Sequence, residues 1–165
     1  MAGLTAERLR ELLSYDPETG VFTWVARPAQ YILAGAVAGG VNNEGYWMIK
    51  IDGRTYSGHR LAWLWVKGEW PSSDIDHKNL DKSDNRFSEL RLATESQNLA
   101  NSKVRKDNTT GLKRVGWHKR DRVWYSNIQI NGKQKYLGSF KCPAAAYFAY
   151  IIAADNAFGE FARVS

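Results

Sequence analysis

The chain has 165 residues, a net charge of +6 and an aromatic content of 13%, which suits one sizeable domain or two small ones and argues against disorder. A single cysteine, Cys142, excludes both a disulfide framework and a cysteine-clustered zinc site. No apolar run approaches the ~20 residues that cross a bilayer, and the N-terminus lacks the apolar stretch of a secretory signal, so we expect a reduced, soluble, cytoplasmic protein and no membrane partner.

Turn and cap signals divide the front third of the chain into short elements. Thr5 can cap a helix over residues 6–14. Asp52-Gly53 is the strongest hairpin signal in the chain. β-propensity and apolar periodicity predict further elements at residues 21–24, 46–51 and 59–65. Residues 1–58 are therefore predicted to form an α+β support region whose tryptophans belong to the core.

The polar segment 72–103 concentrates the side chains that phosphodiester chemistry needs. The Asp76 carboxylate and the Asn98 carbonyl oxygen suit a hard cation such as Mg²⁺, whereas a neutral imidazole at His77 can take a proton from water near neutral pH. Because neighbours on a strand point to opposite faces, Asp76 and His77 can share a site only where the strand ends or bends. On residue types alone, an ordinary Asn/Asp-rich turn is the alternative.

Positive charge is concentrated in the last part of the chain. Residues 1–100 carry 11 Lys and Arg against 13 Asp and Glu, whereas residues 101–165 carry 12 against 4. Such asymmetry indicates a polyanion-binding module, with a solvated basic face as the alternative. Three strands are predicted here, at 113–118, 123–130 and 135–140, with a hairpin turn at Asn131-Gly132, followed by a helix that Pro143 opens. An antiparallel sheet packed on one helix would leave its other face exposed and basic.

The polar segment resembles the HNH endonucleases of phages and their introns. The resemblance rests on Asp76-His77, Asp84-Asn85-Arg86, Leu90-Arg91, Ala93-Thr94, Gln97-Asn98 and the upstream His59-Arg60-Leu61-Ala62-Trp63. It implies a ββα-metal nuclease core over 59–104. In that family the Asp is a metal ligand, the His is the general base and the helix supplies a second ligand. By position these are Asp76, His77 and Asn98, with Asn101 in reserve, around Mg²⁺ or Mn²⁺ and without zinc.

The basic module resembles the DNA-binding domain of plant ethylene-response factors. Thr110-Gly111, Trp124, the run from Tyr136 to Phe140 and the Ala-rich helix carry this resemblance. It implies a domain over 111–165, joined by a linker over 105–110, whose sheet enters the major groove. The predicted DNA-contacting residues are His59, Arg60, Lys113, Arg114, Trp117, His118, Lys119, Arg122, Asn127, Gln129, Lys133, Gln134, Lys135 and Tyr136.

The expected fold class is α+β, with a ββα-metal HNH unit followed by a three-stranded antiparallel sheet packed on one helix. The expected protein is a phage-encoded, metal-dependent DNA endonuclease of the bacterial cytoplasm. It would act on double-stranded DNA as a monomer or weak dimer and leave 5′-phosphate and 3′-hydroxyl ends, as the resemblance implies. One metal site per chain predicts nicking unless two chains pair or one acts twice.

Two alternatives stay open. Glu89 stands where the HNH family has an Asn that ties its loop to the hairpin, and a carboxylate cannot donate the hydrogen bonds of an amide. This position favours a DNA-binding regulator in which the nuclease half is a scaffold. An RNA-binding protein is less favoured, because the sheet lacks the aromatic pairs of a base-stacking platform.

Overall fold

The computed structural model of the chain describes residues 3–27 and 29–163. The chain divides into two compact units, Met1–Leu92 and Ala93–Ser165. The ends of the first and last predicted domains, residues 1, 2, 164 and 165, lie outside the described part. The sequence-based division into 1–58, 59–104, a linker over 105–110 and 111–165 rests on motifs and composition, and it stays a prediction.

The first unit combines short helices with small antiparallel sheets. Its helices are α1 (Ala6–Leu12) and α2 (Gly58–Lys67). Its strands pair as β1 with β2, as β3-β4-β5, and as β6 with β7. These strands are β1 (Leu13–Asp16), β2 (Val21–Trp24), β3 (Gly40–Val41), β4 (Trp47–Ile51), β5 (Arg54–Ser57), β6 (Asp74–His77) and β7 (Leu90–Ala93), with a 3-10 turn at Phe87–Glu89 before β7.

The predicted helix over 6–14 is too long at its C-terminal end. Thr5 caps α1 as expected, because the Arg8 amide donates to Thr5 Oγ1 at 3.2 Å. The helix ends at Leu12, however, and Leu13 begins a strand that pairs with β2. Alternate residues of β1 are buried. This two-residue period is that of a strand, and it is incompatible with a further helical turn after Leu12.

A single apolar cluster fills the first unit. Its fully buried side chains come from α1, β1, β2, β4 and α2 and include Leu9, Leu13, Phe22, Ile49 and Leu61. As predicted, the tryptophans of this region belong to the core: Trp24 is buried, and Trp47, Trp63, Trp65 and Trp70 pack against the cluster. This core supports α2 and β6, the two elements on which the candidate site is built.

The second unit contains a helix-packed antiparallel sheet. Its helices are α3 (Glu95–Asn101) and α4 (Pro143–Phe158), and its strands are β8 (Val115–His118), β9 (Val123–Ile130) and β10 (Lys133–Phe140), in the order β10-β9-β8. The Asn131-Gly132 turn between β9 and β10 is present as predicted. Ile128 of β9 packs against Tyr150 and Ala154 of α4, so one sheet face is covered.

The side of α4 that faces the apolar cluster carries Ala146, Tyr150 and Ala154, which are buried. Tyr147 and Phe158 are partly buried and pack against the same cluster. Among the described residues, no helix has the length and apolarity needed to span a membrane.

Candidate active site

Asp76 and His77 are the last two residues of β6, and both are buried. Their exposed fractions are 5% and 6%, whereas Asp74 at the start of the strand is exposed. The strand ends at His77, whose carbonyl accepts a turn hydrogen bond from the Leu80 amide at 3.0 Å. The strand end that a shared site requires is therefore present.

The Asp76 carboxylate is held by a guanidinium from the neighbouring strand. Arg91 of β7 donates to Asp76 Oδ2 through Nε at 2.9 Å and through Nη2 at 2.8 Å. Both side chains are largely buried, and a buried ion pair of this kind fixes the orientation of the carboxylate. Arg91 belongs to the motif quoted for the HNH resemblance, but no role followed for it from the sequence.

Aromatic rings surround the His77 imidazole. The His59 ring meets it edge-on, with centroids 5.1 Å apart and an interplanar angle of 81°, and the Tyr46 centroid lies 6.4 Å away. Burial lowers the pKa of His77 below its ordinary value, although Asp76 and Asp84 act in the opposite direction. The imidazole is therefore neutral at pH 7, which is the protonation state of a general base.

His59 lies on α2 and is half-buried, and its role as a DNA contact stays a prediction. Burial, and after it the neighbouring His77 and Arg60, lowers the pKa of His59 to about 4. Its Nδ1 atom is buried and has no hydrogen-bond partner within the described part of the chain. The structure thus places His59 against the predicted base. Arg60 is half-buried, with its guanidinium 5.9 Å from the centroid of the Trp70 ring.

The polar loop after β6 is ordered around the Asp84 carboxylate. Asn79 Nδ2 donates to Asp84 Oδ2 at 2.6 Å, and Arg86 donates through its amide and its guanidinium. The Arg86 hydrogen bonds lower the pKa of Asp84 to about 2. A second carboxylate, Asp81, accepts from the amide and hydroxyl of Ser83. The loop is therefore a hydrogen-bonded structure and not a loose turn.

Asn85 connects this loop to the front of the chain. It is 2% exposed, and its carbonyl accepts a 2.6 Å hydrogen bond from the Tyr15 hydroxyl. Its amide lies so close to Gly58 that a Cβ there would stand 2.8 Å from Nδ2. Glu89 participates through its backbone, because its carbonyl accepts from the Lys78 amide at 2.9 Å. Loop order thus has an origin in Asn85 that does not depend on an amide side chain at position 89.

The predicted second ligand, Asn98, lies on α3 in the second unit. This helix begins with a capping box, in which Thr94 Oγ1 accepts from the Gln97 amide and Gln97 Oε1 accepts from the Thr94 amide. Asn98 is half-buried, and the reserve candidate Asn101 is 4% exposed. Residues 3–27 and 29–163 contain no group of three or more His, Cys, Asp or Glu able to hold a metal ion.

Most of the predicted DNA contacts in the second unit lie on strands β8–β10 and their turns. Arg114, Asn127 and Gln129 are half-buried, and the Trp117 ring lies 5.0 Å from that of Trp124. His118 Nδ1 lies 3.1 Å from an Asp121 carboxylate oxygen. The exposed members of the predicted set are Trp117, His118, Lys119, Arg122, Lys133, Gln134, Lys135 and Tyr136.

Lys113 is the correction in this set. It is 5% exposed, and its ammonium group donates to the carbonyl oxygens of Ala100 and Ser102, both at 2.6 Å, and of Arg163 at 3.4 Å. An ammonium group occupied by three backbone carbonyls cannot also reach a phosphate. The sequence could not show this, because a lysine before a strand is ordinarily solvated.

Comparison with known protein families gives a match over part of the chain. Residues 56–100 match the HNH endonuclease family. The matched segment contains α2, β6, the polar loop and β7, and with them Asp76, His77 and His59. The match supports a nuclease role at the level of the family.

A phage protein matches part of the chain. Over 77 residues the chain is 34% identical to "Protein 3.8" of Escherichia phage T7. The aligned region is 46% of this chain and 64% of the phage protein, so the chain spans just under two thirds of its relative's length. No solved structure gives a significant match.

Proposed function

We propose that the protein is a metal-dependent HNH DNA endonuclease, which hydrolyses phosphodiester bonds and is positioned on duplex DNA by its basic sheet. One observation carries the proposal: a buried carboxylate and a buried, neutral imidazole stand side by side at a strand end, inside the segment that matches the HNH endonuclease family.

His77 is the general base of the proposed reaction. Because its pKa is lowered, the ring is in its neutral form at neutral pH, with one ring nitrogen protonated and the other able to accept a proton from the water that attacks the phosphate. The edge-on His59 ring limits rotation of His77. As the HNH resemblance implies, the attacking oxygen becomes part of a 5′-phosphate and the bond between phosphorus and the 3′-oxygen breaks. The leaving oxygen takes a proton from solvent and becomes a 3′-hydroxyl.

Asp76 and Asn98 would hold a divalent cation. The donors are a carboxylate and an amide oxygen, which fit Mg²⁺ or Mn²⁺, ions that keep several ligand positions for water and phosphate. A bound cation would neutralise charge on the scissile phosphate and on the leaving oxygen. Arg91 keeps the Asp76 carboxylate in one orientation.

The sheet β8–β10 is the proposed DNA anchor. Cations at strand ends and turns, among them Lys119, Arg122 and Lys133, are exposed and suit phosphate contacts, which give affinity without sequence preference. Amides on the strands, at Asn127 and Gln129, suit base edges in the major groove. This docking mode follows the ethylene-response-factor resemblance.

Plasmid nicking tests the proposal. With Mg²⁺, the wild-type chain should convert supercoiled plasmid to the nicked form. His77→Ala should slow this by on the order of 10²-fold or more, because a positioned general base contributes that much. Asp76→Asn should also reduce cutting. Both variants should shift duplex DNA on a gel as wild type does, and a parallel loss of binding would show that the residues are structural.

A DNA-binding regulator is the second candidate. The guanidinium on Asp76 Oδ2 favours it, because it occupies a carboxylate oxygen that a cation would use. Glu89 also favours it, because a carboxylate cannot donate the hydrogen bonds of the Asn that the HNH family has at this position. If neither wild type nor His77→Ala nicks plasmid with Mg²⁺ or Mn²⁺ while both bind duplex DNA, the regulator is the correct assignment.

A further inference from the structure

A groove in the second unit runs between the chain segment 102–108 and the sheet. Its volume is about 660 Å³. Lys103 and Arg105 line it from the segment, and Arg114, Asn127, Gln129 and Gln134 line it from the sheet side. Asn127, Gln129 and Gln134 are predicted DNA contacts with side-chain amides. The groove therefore has the proposed base-contacting surface on one side and the basic segment 102–108, here called its wall, on the other.

Hydrogen bonds hold segment 102–108 in place at both of its ends. At its beginning, the buried Lys113 ammonium donates to the carbonyls of Ala100 and Ser102. At its end, Asn108 Nδ2 donates to the Leu112 carbonyl at 2.9 Å, and Asn108 Oδ1 accepts from the amide of Thr110 at 2.9 Å. Segment 102–108 is therefore a positioned part of the unit, although its composition is typical of a flexible linker.

The charges in the groove suit a phosphate backbone. Lys103, Arg105 and Arg114 supply three cations, against one carboxylate, Asp107, which pairs with Arg105 through two 3.0 Å hydrogen bonds. Guanidinium groups bind phosphate oxygens in a two-point geometry. The Arg105 side chain is 85% exposed, so it can exchange the carboxylate for a phosphate.

We propose that this groove binds the sugar–phosphate backbone of one DNA strand, with segment 102–108 as a second DNA-contacting wall beside the sheet. The proposal rests on the DNA-binding part of the proposed function and adds a contact surface to it. The side-chain amides of Asn127 and Gln129 would contact the edges of bases that face the sheet. The phosphates of one DNA strand would lie against Lys103 and Arg105. The contact would add affinity that depends on salt and not on sequence.

Two neighbouring cations provide a matched test. Arg105 lines the groove, whereas Lys106, the next residue, is exposed and is not among its lining residues. Arg105→Gln and Lys106→Gln remove the same charge from the same segment. Binding of the full chain to a labelled mixed-sequence duplex is measured in EDTA over a range of salt concentrations. Arg105→Gln should lower the slope of log K against log salt by about 1, and Lys106→Gln should leave it near the wild-type value.

A third variant changes affinity in the opposite direction. Asp107→Asn removes the carboxylate that competes with phosphate for Arg105, so binding should tighten and the slope should steepen. Equal slopes in the Arg105 and Lys106 variants, with wild type binding normally, would overturn the groove and leave the DNA anchor intact. Absence of salt-dependent binding by wild type would overturn the anchor itself, and plasmid nicking would still report on the nuclease.

Discussion

Burial lowers the pKa of two side chains that were predicted to contact DNA. These residues are His59 and Lys113. The His59 ring lies against the His77 ring, and the Lys113 ammonium group donates to three backbone carbonyls. Burial lowers the pKa of Lys113 to about 8 and that of His59 to about 4. Residue type alone could not distinguish these positions from exposed ones.

The lowered pKa of His59 predicts a pH dependence of stability. The folded chain binds a proton at His59 only near pH 4, whereas the ordinary value is 6.5. Between these values the unfolded chain binds more protons, so the free energy of unfolding should fall as pH is lowered from 6.5 to 4. Urea unfolding at several pH values should show this fall in wild type, and a smaller one in His59→Gln.

His118 supplies the control for that experiment. It is exposed on the second unit, and His118→Gln should retain the wild-type dependence on pH. An NMR titration of the His59 ring with a midpoint near its ordinary value of 6.5 would contradict the buried environment.

At the scale of elements, the turn between β1 and β2 supports the loop of the candidate site. Gly20 has φ of +74°, and a Cβ at this position would lie 2.5 Å from the Arg86 amide nitrogen and 2.6 Å from the Asn85 carbonyl carbon. The close approach brings a hairpin turn against the loop that Asp84 organises. The support role predicted for the front of the chain has its physical basis in this contact and in the Tyr15–Asn85 hydrogen bond.

Replacement of two glycines separates close packing from backbone strain. Gly53 also has a positive φ, +80°, but a Cβ there would meet nothing within 4 Å. Gly53→Ala should cost about 1 kcal/mol in the free energy of unfolding, from the left-handed conformation alone. Gly20→Ala should cost at least about twice as much, because backbone atoms must also move. An equal loss of unfolding free energy in the two variants, measured by urea unfolding, would show that the loop around Asn85 and Arg86 moves to admit the Cβ atom at no additional cost.

At the scale of the whole molecule, charge is divided unevenly along the chain. Residues 101–165 carry 12 Lys and Arg against 4 Asp and Glu, while residues 1–100 carry a small excess of acidic groups. The candidate base lies in the acidic part, and the exposed cations of β8–β10 lie in the basic part. Binding and cutting should therefore respond to different substitutions.

Two exposed lysines test this division. Lys133 begins β10, and Lys50 lies on β4. Lys133→Gln should lower the slope of log K against log salt for duplex binding by about 1, since it removes one phosphate contact. Lys50→Gln makes the same change in net charge and should leave the slope unaltered. A similar response of both variants would assign DNA attraction to net charge and not to the sheet.

The local elements and the types of reactive side chain could be predicted from the amino-acid sequence. Thr5, Asp52-Gly53, Pro143 and Asn131-Gly132 act through backbone geometry within a few residues, so caps and turns could be predicted from them. The Asp76-His77 pair and its surrounding motif were sufficient to predict the HNH segment that the family comparison supports. The end of α1 was misplaced, because pairing with β2 outweighed local helix propensity, and the starts of β8 and β10 each differ by two residues from the predicted ones.

Tertiary structure alone decided what each functional group faces. Arg91 meets Asp76 across 15 residues of sequence, Tyr15 meets Asn85 across 70, and Lys113 meets Arg163 across 50. Such contacts depend on which surfaces the core brings together, and burial then sets pKa values and removes side chains from solvent. No property of a residue and its near neighbours in sequence contains that information.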